Sequence, residues 1–167
     1  MNCIVAVDSN WGIGKDNDLL ISIPEDMKYF RKVTTGKTLI YGRKTLESFP
    51  GQKPLPKRRN IVITRNAAYG GNGAEVVNSV DEARLAVKDE DPDNVFVIGG
   101  GAIYRQMLPF CTRAYVTQIN KVFDADTFFP DLSADPEWEI ESESETMNYE
   151  GISYRFVIYK KKLTDLK

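Results

Sequence analysis

The chain has 167 residues, of which 42% are hydrophobic and 28% charged, a composition that can build one globular domain over residues 1–167 without disulfides or metals. The net charge of −2 argues against a general nucleic-acid binder, and no apolar run approaches the length of a membrane span. The sequence contains no histidine, which excludes Ser-His and Cys-His nucleophiles and the usual zinc sites, so proton chemistry must use other side chains or water.

No repeat, low-complexity tract or linker divides the chain. Its start lacks the pattern of a signal peptide, and a cytoplasmic location is the default expectation. Cys3 and Cys111 form no C-x-x-C pair, and we interpret them as two small apolar residues that stay reduced in the cytosol.

Strand-like and helix-like runs alternate over the first two thirds of the chain. Short, nearly all-apolar runs predict strands buried on both faces, as in a sheet covered by helices. They are residues 3–7, 38–41, 60–64 and 94–98. Helices are predicted from Pro24 to about Gly36, from a capping box at Ser79 to about Lys88, and from Gly101 through Met107, where Pro109 stops the helix.

The last third of the chain predicts strands without helices between them. These strands cover residues 113–119, 137–144 and 152–161, with a turn at residues 148–151 before the last one. The pattern indicates a hairpin added antiparallel to one edge of the sheet. The predicted fold class is therefore α/β, a mixed and mainly parallel sheet flanked by helices.

A glycine-rich turn follows the fourth predicted strand. Gly99, Gly100 and Gly101 exceed what a plain turn requires, and they would let a ligand approach the backbone near the free N–H groups of the next helix. We interpret the turn as a phosphate-binding site. Tyr104 stands where a G-x-G-x-x-G motif has its last glycine, and no acidic ribose ligand follows, so a standard Rossmann NAD site is disfavoured.

Two adjacent cations, Arg43 and Lys44, stand at the start of another predicted helix, where they oppose the helix dipole. They are either solvated surface charges or ligands of an anion. Thr64 and Arg65 come at the end of the third predicted strand. Because ligands of open α/β sheets gather at the carboxyl ends of the strands, these strand ends together indicate a polyanionic cofactor.

Two further features each have two interpretations. Asp26 lies beside apolar residues such as Met27 and Phe30, and the residues alone favour a first-turn acid that complements the helix dipole over a functional carboxylate. The loop of residues 53–59 carries four cations and two prolines. Its arginines either grip a carboxylate bidentately or are ordinary surface charges.

In order and spacing, these segments resemble dihydrofolate reductases across nearly the whole chain. The matching segments are residues 4–8 (IVAVD), 11–14 (WGIG), 23–30 (IPEDMKYF), 42–48 (GRKTLES), 54–56 (PLP), 58–60 (RRN), 97–101 (VIGGG), 103–104 (IY), 115–117 (YVT) and 126–130 (DTFFP). The resemblance implies a monomeric enzyme that uses NADPH to reduce dihydrofolate to tetrahydrofolate and that binds antifolate inhibitors.

The resemblance also implies roles for residues at the substrate. Asp26 resembles the single active-site carboxylate, which holds the 2-amino group and N3 of the pterin, and Thr117 resembles the threonine that supports this contact. Arg58 resembles the arginine that grips the α-carboxylate of the glutamate tail. The other implied substrate contacts are Ala6, Met27, Phe30, Phe49, Leu55, Ile98 and Tyr104.

The implied NADPH contacts form three groups. Residues Gly14 to Leu19 resemble the mobile loop that closes over the nicotinamide, with Gly14, Asn17, Asp18 and Leu19 as its implied contacts. The 2′-phosphate is held by Arg43, Lys44, Thr64 and Arg65, and the pyrophosphate by Gly100, Gly101, Ala102 and Ile103. The remaining implied contacts are Ala6, Ile13, Gly42, Thr45, Ile63, Ile98, Tyr104, Gln106 and Thr127.

The implied reaction is hydride transfer from nicotinamide C4 to pterin C6, with a proton delivered to N5 from water polarised near Asp26. We expect burial to outweigh the helix dipole and to raise the pKa of Asp26. The resemblance further implies a cis peptide bond between Gly99 and Gly100. Ile21 replaces the tryptophan that usually donates to an ordered water, so that water is expected to be absent or held by backbone and Asp26 oxygens alone.

Two rival functions make different demands on the sequence. A reductase of the same fold that acts on a pyrimidine intermediate of riboflavin synthesis would share the glycine turn but not residues 23–30 together with Arg58. A non-catalytic nucleotide-binding module would not need Asp26 in an apolar segment. Loss of nicotinamide absorbance on mixing the protein with NADPH and dihydrofolate distinguishes the three possibilities.

Overall fold

The computed structural model describes residues 1–16 and 18–163, which contain four α-helices and two β-sheets. In chain order the strands are β1 (Asn2–Val7), β2 (Gly12–Lys15), β3 (Asp18–Leu19), β4 (Thr38–Gly42), β5 (Arg59–Ile63), β6 (Glu75–Val77), β7 (Val95–Gly99), β8 (Arg113–Ile119), β9 (Thr127–Phe128), β10 (Trp138–Glu143), β11 (Met147–Tyr149) and β12 (Ile152–Lys161). The helices are α1 (Pro24–Thr34), α2 (Arg43–Ser48), α3 (Val80–Ala86) and α4 (Gly101–Met107). None of the helices in these residues is long and apolar enough to cross a membrane.

The large sheet has the strand order β10-β12-β8-β1-β7-β4-β5-β6, and β11 pairs with β12 beside this path. All neighbours from β8 to β6 are parallel, whereas β12 runs antiparallel to β8, β10 and β11. This arrangement confirms the predicted α/β fold, in which a mainly parallel sheet carries an antiparallel hairpin at one edge.

The apolar runs of the parallel strands are explained by burial on both faces of the sheet. Along β4, Leu39 and Tyr41 pack into one hydrophobic cluster and Ile40 into the other. Neighbouring β5 does the same, with Ile61 and Val62 in opposite clusters. Since successive side chains of a strand point to opposite faces, a strand covered on both sides needs an uninterrupted apolar run.

The helix boundaries follow the predicted capping signals with one difference. The capping box at the start of α3 is present in a shifted form: Ser79 Oγ accepts from the Glu82 N–H at 3.0 Å, and the Glu82 carboxylate reaches back to the N–H of Asn78, one residue before the N-cap, at 2.6 Å. The helix ends at Ala86 instead of near Lys88. The N–H of Lys88 bonds to the carbonyl three residues back at 3.3 Å, so the chain there forms a tight turn and not a continued α-helix.

The predicted turn at residues 148–151 is also narrower in the structure. Residues up to Tyr149 belong to β11, and the turn itself is Glu150–Gly151. Both turn residues have positive φ angles, of 50° and 82°. This is the conformation that two-residue hairpin turns of type I′ require.

The sequence did not predict the small sheet β3-β2-β9, nor β6 and β11. The small sheet is fastened by the buried carboxylate of Asp8, which accepts from the N–H groups of Asn10, Gly12 and Phe123 at 2.8, 2.7 and 2.9 Å. These bonds join the segment after β1 to the segment after β8. The small sheet is thereby held at the carboxyl end of β1.

Candidate active site

A cavity of about 1320 Å³ opens at the carboxyl ends of β1, β4 and β7. Ala6, Gly42 and Gly99, at or next to the last residues of these strands, form part of its wall, and α1 and the small sheet supply other parts. A pocket for one small ligand usually measures about 300–1,000 Å³. The cavity therefore has room for two ligands side by side.

Most of the site residues expected from the sequence line this cavity. They are Ala6, Ile13, Gly14, Asp18, Leu19, Asp26, Met27, Phe30, Gly42, Arg43, Lys44, Thr45, Phe49, Ile98, Gly100, Gly101, Ala102, Ile103, Tyr104, Thr117 and Thr127. Residues from segments more than 100 positions apart are thus brought to one surface by the parallel strand order. Asn17, also expected at the cofactor, lies outside the described residues.

Six expected residues lie outside the cavity wall: Leu55, Arg58, Ile63, Thr64, Arg65 and Gln106. Leu55 is partly buried in the same cluster as the wall residues Phe30 and Phe49. Ile63 and Thr64 are buried, whereas Arg65 and Gln106 are exposed. The roles that the resemblance implies for these six residues stay predictions.

Several residues of the wall were not indicated by the sequence: Ile4, Val5, Glu47, Ser48, Arg105 and Asp126. Helical spacing could have found two of them, because Glu47 and Arg105 each follow an expected residue, Arg43 and Gly101, by four positions on a helix. Asp126 reaches the wall through tertiary structure, since its carboxylate accepts from the Asp16 N–H at 2.9 Å.

Asp26 lies in the first turn of α1, where its carboxylate meets β8. The register of β1 and β8 pairs Ala6 with Thr117. The buried hydroxyl of Thr117 donates to Asp26 Oδ1 at 2.6 Å. Burial raises the pKa of the Asp26 carboxyl and the Thr117 hydrogen bond lowers it, with burial the larger effect. The raised pKa agrees with the expectation from the sequence.

The glycines of the wall differ in how much space the protein leaves around them. A Cβ on Gly101 would lie 2.5 Å from Thr127 Cγ2, and one on Gly42 would lie 3.2 Å from Ile103 Cγ1. At Gly100 the nearest atom would be Thr45 Oγ1, at an ordinary 3.8 Å. Protein packing therefore leaves space at Gly100 that a side chain would fill, as expected where a ligand approaches the backbone.

The wall around these glycines also carries positive charges that suit a phosphate. Arg43, Lys44 and Arg105 all line the cavity and are exposed to solvent. The peptide bond between Gly99 and Gly100 is cis, as the resemblance implies. Open backbone and several cations together fit the phosphates of the expected NADPH cofactor.

Arg58, which lies outside the cavity wall, contacts the last residue of α1. Its guanidinium is partly buried and donates to Thr34 Oγ1 at 3.0 Å and to the Pro56 carbonyl at 2.9 Å. Burial and the neighbouring Arg31 both lower the pKa of Arg58. Two cations that disfavour each other's charge are a suitable place for an anionic group of a ligand.

Comparison with known proteins assigns the chain to a family. A family model described as dihydrofolate reductase matches residues 1–161. The dihydrofolate reductase of Bacillus subtilis is 39% identical over 161 residues, covering 95% of this chain and 93% of the relative, and that of Haemophilus influenzae is 42% identical over 161 residues, covering 95% and 97%.

A solved structure gives the same assignment. Dihydrofolate reductase from Enterococcus faecalis, complexed with NADP(H) and RAB-propyl, superposes with a TM-score of 0.84 at 34% sequence identity, covering 96% of this chain and 95% of that one. These matches decide against the riboflavin-type reductase that the sequence left as a rival. The chain belongs to the dihydrofolate reductase family.

Proposed function

We propose that the cavity binds NADPH and dihydrofolate side by side and that Asp26 governs the reduction of dihydrofolate to tetrahydrofolate, by hydride addition at C6 and protonation at N5. NADPH-dependent reduction of dihydrofolate is the activity of the family, and the proposal concerns the residues and atoms that perform it. The observation that carries it is the composition of the cavity wall, which contains the partly buried carboxylate of Asp26 and an open glycine turn with cations among its neighbours.

The glycine-rich part of the wall would hold the cofactor. NADPH, when bound, supplies the hydride. The pyrophosphate would lie against the backbone of residues 100–103, and the 2′-phosphate against Arg43, Lys44, Thr64 and Arg65. Arg105 adds a further cation on this wall. The remaining cofactor contacts are proposed as the resemblance gives them.

The part of the wall around Asp26 would hold the substrate. In the described part of the chain, Asp26 Oδ2 receives no hydrogen bond, while Oδ1 is held by Thr117. The carboxylate is therefore oriented by the protein and free to accept from N3–H and the 2-amino group of the pterin. The rings would pack against Met27, Phe30 and the other apolar wall residues, and Arg58 would pair with the α-carboxylate of the tail.

The proton for N5 would come from water polarised near Asp26. A raised pKa keeps this carboxyl closer to the working pH than an exposed aspartate, which is the condition for efficient general acid catalysis. Ile21 lines the cavity, and its side chain has no N–H or O–H to hold such a water, so Asp26 and nearby backbone oxygens would position it. The apolar wall limits the entry of other water molecules.

A direct assay tests the proposal. Absorbance in the nicotinamide band should fall when protein, NADPH and dihydrofolate are mixed, and should stay constant when either dihydrofolate or protein is left out. Tight NADPH binding without turnover would contradict the proposal and favour a nucleotide-binding module. The expected cytoplasmic location and monomeric state stay predictions.

A further inference from the structure

Arg43 has two protein partners that lie outside the expected set of cofactor contacts. Its guanidinium carbon lies 5.2 Å from the centre of the Tyr69 ring, within the range of a cation–π contact. Its Nε lies 3.5 Å from Glu47 Oε1, one helical turn further along α2. The side chain of Arg43 is nevertheless 44% exposed, so an anion can reach it.

The two contacts leave a particular part of Arg43 available. The guanidinium lies over the Tyr69 ring, and the Glu47 carboxylate lies near Nε. The two terminal nitrogens, which can bind two oxygens of one phosphate, keep donors for a ligand. An arginine held in this way loses less conformational freedom when it binds an anion than one that moves freely in solvent.

Tyr69 is itself held in place by the loop that follows β5. In this loop the Asn66 N–H donates to Thr64 Oγ1 at 3.2 Å, the Ala68 N–H to Asn66 Oδ1 at 3.0 Å, and the Tyr69 N–H to the Asn66 carbonyl at 3.1 Å. The Tyr69 ring packs, partly buried, against the hydrophobic cluster around Tyr41. The ring is thus a fixed surface and Arg43 the longer, more exposed side chain that lies against it.

We propose that Tyr69 is a positioning residue for the cofactor: its ring holds the Arg43 guanidinium ready for the 2′-phosphate and so contributes to the preference for NADPH over NADH. This inference rests on the proposed function, in which Arg43 binds that phosphate. Tyr69 acts through Arg43 and not by contact with the nicotinamide or the substrate. Replacing Tyr69 should therefore change the affinity for NADPH and not the rate of hydride transfer.

The test compares Tyr69→Leu, which removes the ring, with Tyr69→Phe, which keeps it. The ratio of kcat/KM for NADPH to kcat/KM for NADH should fall about three- to tenfold in Tyr69→Leu, which is the range of a partly exposed cation–π contact. The fall should come from a higher KM for NADPH. Tyr69→Phe should keep the parental ratio. Phe110→Leu is a matched control, because that ring lies 3.7 Å from the Arg84 guanidinium carbon and outside the cavity wall.

Variants of Arg43 separate a failure of the proposed function from a failure of the inference about Tyr69. Tyr69→Leu should have no added effect in an Arg43→Ala background. If Arg43→Ala itself leaves the ratio unchanged, the phosphate assignment of Arg43 fails and the inference fails with it. If Arg43→Ala lowers the ratio and Tyr69→Leu does not, only the inference is wrong.

Comparing the two cofactors tests whether Tyr69 has a purely structural role. An equal loss with both cofactors in Tyr69→Leu would mean that the ring only supports the loop, and would overturn the inference. Should Tyr69→Leu fail to fold, titration calorimetry of Tyr69→Trp with 2′,5′-ADP and with ADP replaces it. The larger ring should hold or increase the preference for 2′,5′-ADP, and a loss of that preference would also overturn the inference.

Discussion

Replacing Asp26 with asparagine isolates the charge of the carboxylate from its shape. The side chains have nearly the same size, and the amide oxygen of Asn can still accept from Thr117, whose hydroxyl lies 2.6 Å from Asp26 Oδ1. The buried hydroxyl therefore keeps its partner, and the variant avoids the penalty of about 1–3 kcal/mol for an unsatisfied buried group. A change in activity then reports the loss of the negative charge and of its effect on nearby water.

The expected result is a large loss of turnover at neutral pH. A positioned acid–base group contributes a factor on the order of 10²–10⁴, so Asp26→Asn should reduce dihydrofolate turnover by about that much. The loss should become smaller at low pH, where solvent can protonate N5 before hydride transfer. The affinity for NADPH should barely change, because the proposed phosphate contacts are other residues and Asp26 is not among them.

The same substitution should stabilise the fold at neutral pH. Burial raises the pKa of Asp26 in the folded protein, so the folded state holds this proton at a higher pH than the unfolded chain. Ionisation of Asp26 therefore lowers the free energy of unfolding. This loss is complete above the pKa of the folded state and disappears once the pH falls below the unfolded value of about 3.9. Asp26→Asn should therefore have a higher Tm than the parent at neutral pH, and the difference in Tm should shrink as the pH falls towards about 3.9 without changing sign.

Stopped-flow measurement of hydride transfer across a pH series, at saturating NADPH, gives the kinetic result, and thermal unfolding over the same series gives the stability result. Thr117→Val is a useful comparison, because removing the hydrogen bond that lowers the pKa of Asp26 should move the kinetic pH profile to higher pH. Near-parental turnover of Asp26→Asn at neutral pH would refute the reasoning, since another group would then manage the proton.

Three other predictions concern the cofactor, the departure from the family and the fold. In the double variant Arg43→Ala/Arg65→Ala, each lost phosphate contact should lower the preference for NADPH over NADH about tenfold or more, and an unchanged ratio of kcat/KM values would contradict the assignment. Ile21→Trp, which adds a donor at the cavity wall, should alter the pH profile of hydride transfer at high pH, where proton supply limits the rate; identical profiles would mean that the departure is catalytically silent. Ser79→Ala removes the acceptor of the Glu82 N–H and should lower the free energy of unfolding by about 0.5–2 kcal/mol without changing kinetics, as chemical denaturation can check.

The sequence predicted best those elements whose signals are local. The central strands are apolar without interruption because both faces are buried, and the capping box before α3 is contained within five residues. The small sheet had no such signal, since β3 has only two residues and β2 contains two glycines. It is held by the side chain of Asp8, whose contact with Phe123 spans 115 positions.

The same distinction applies to the site. From the residues alone, Asp26 was better explained as a first-turn acid, because its partner Thr117 lies 91 positions away and only the register of the sheet brings it near. Resemblance to a family supplied the functional interpretation that local patterns could not. Tyr69 was missed for a similar reason, since its contact with Arg43 joins the loop after β5 to the start of α2.

The central claim is that one cavity holds both ligands and that Asp26 binds the pterin. The most direct test is a crystal structure of the protein with folate and NADP⁺. We predict that the Asp26 carboxylate lies within hydrogen-bonding distance of N3 and the 2-amino group of the pterin, with Thr117 still bonded to Oδ1 and the nicotinamide packed against the same ring. A pterin bound elsewhere, or turned so that Asp26 contacts neither nitrogen, would contradict the account.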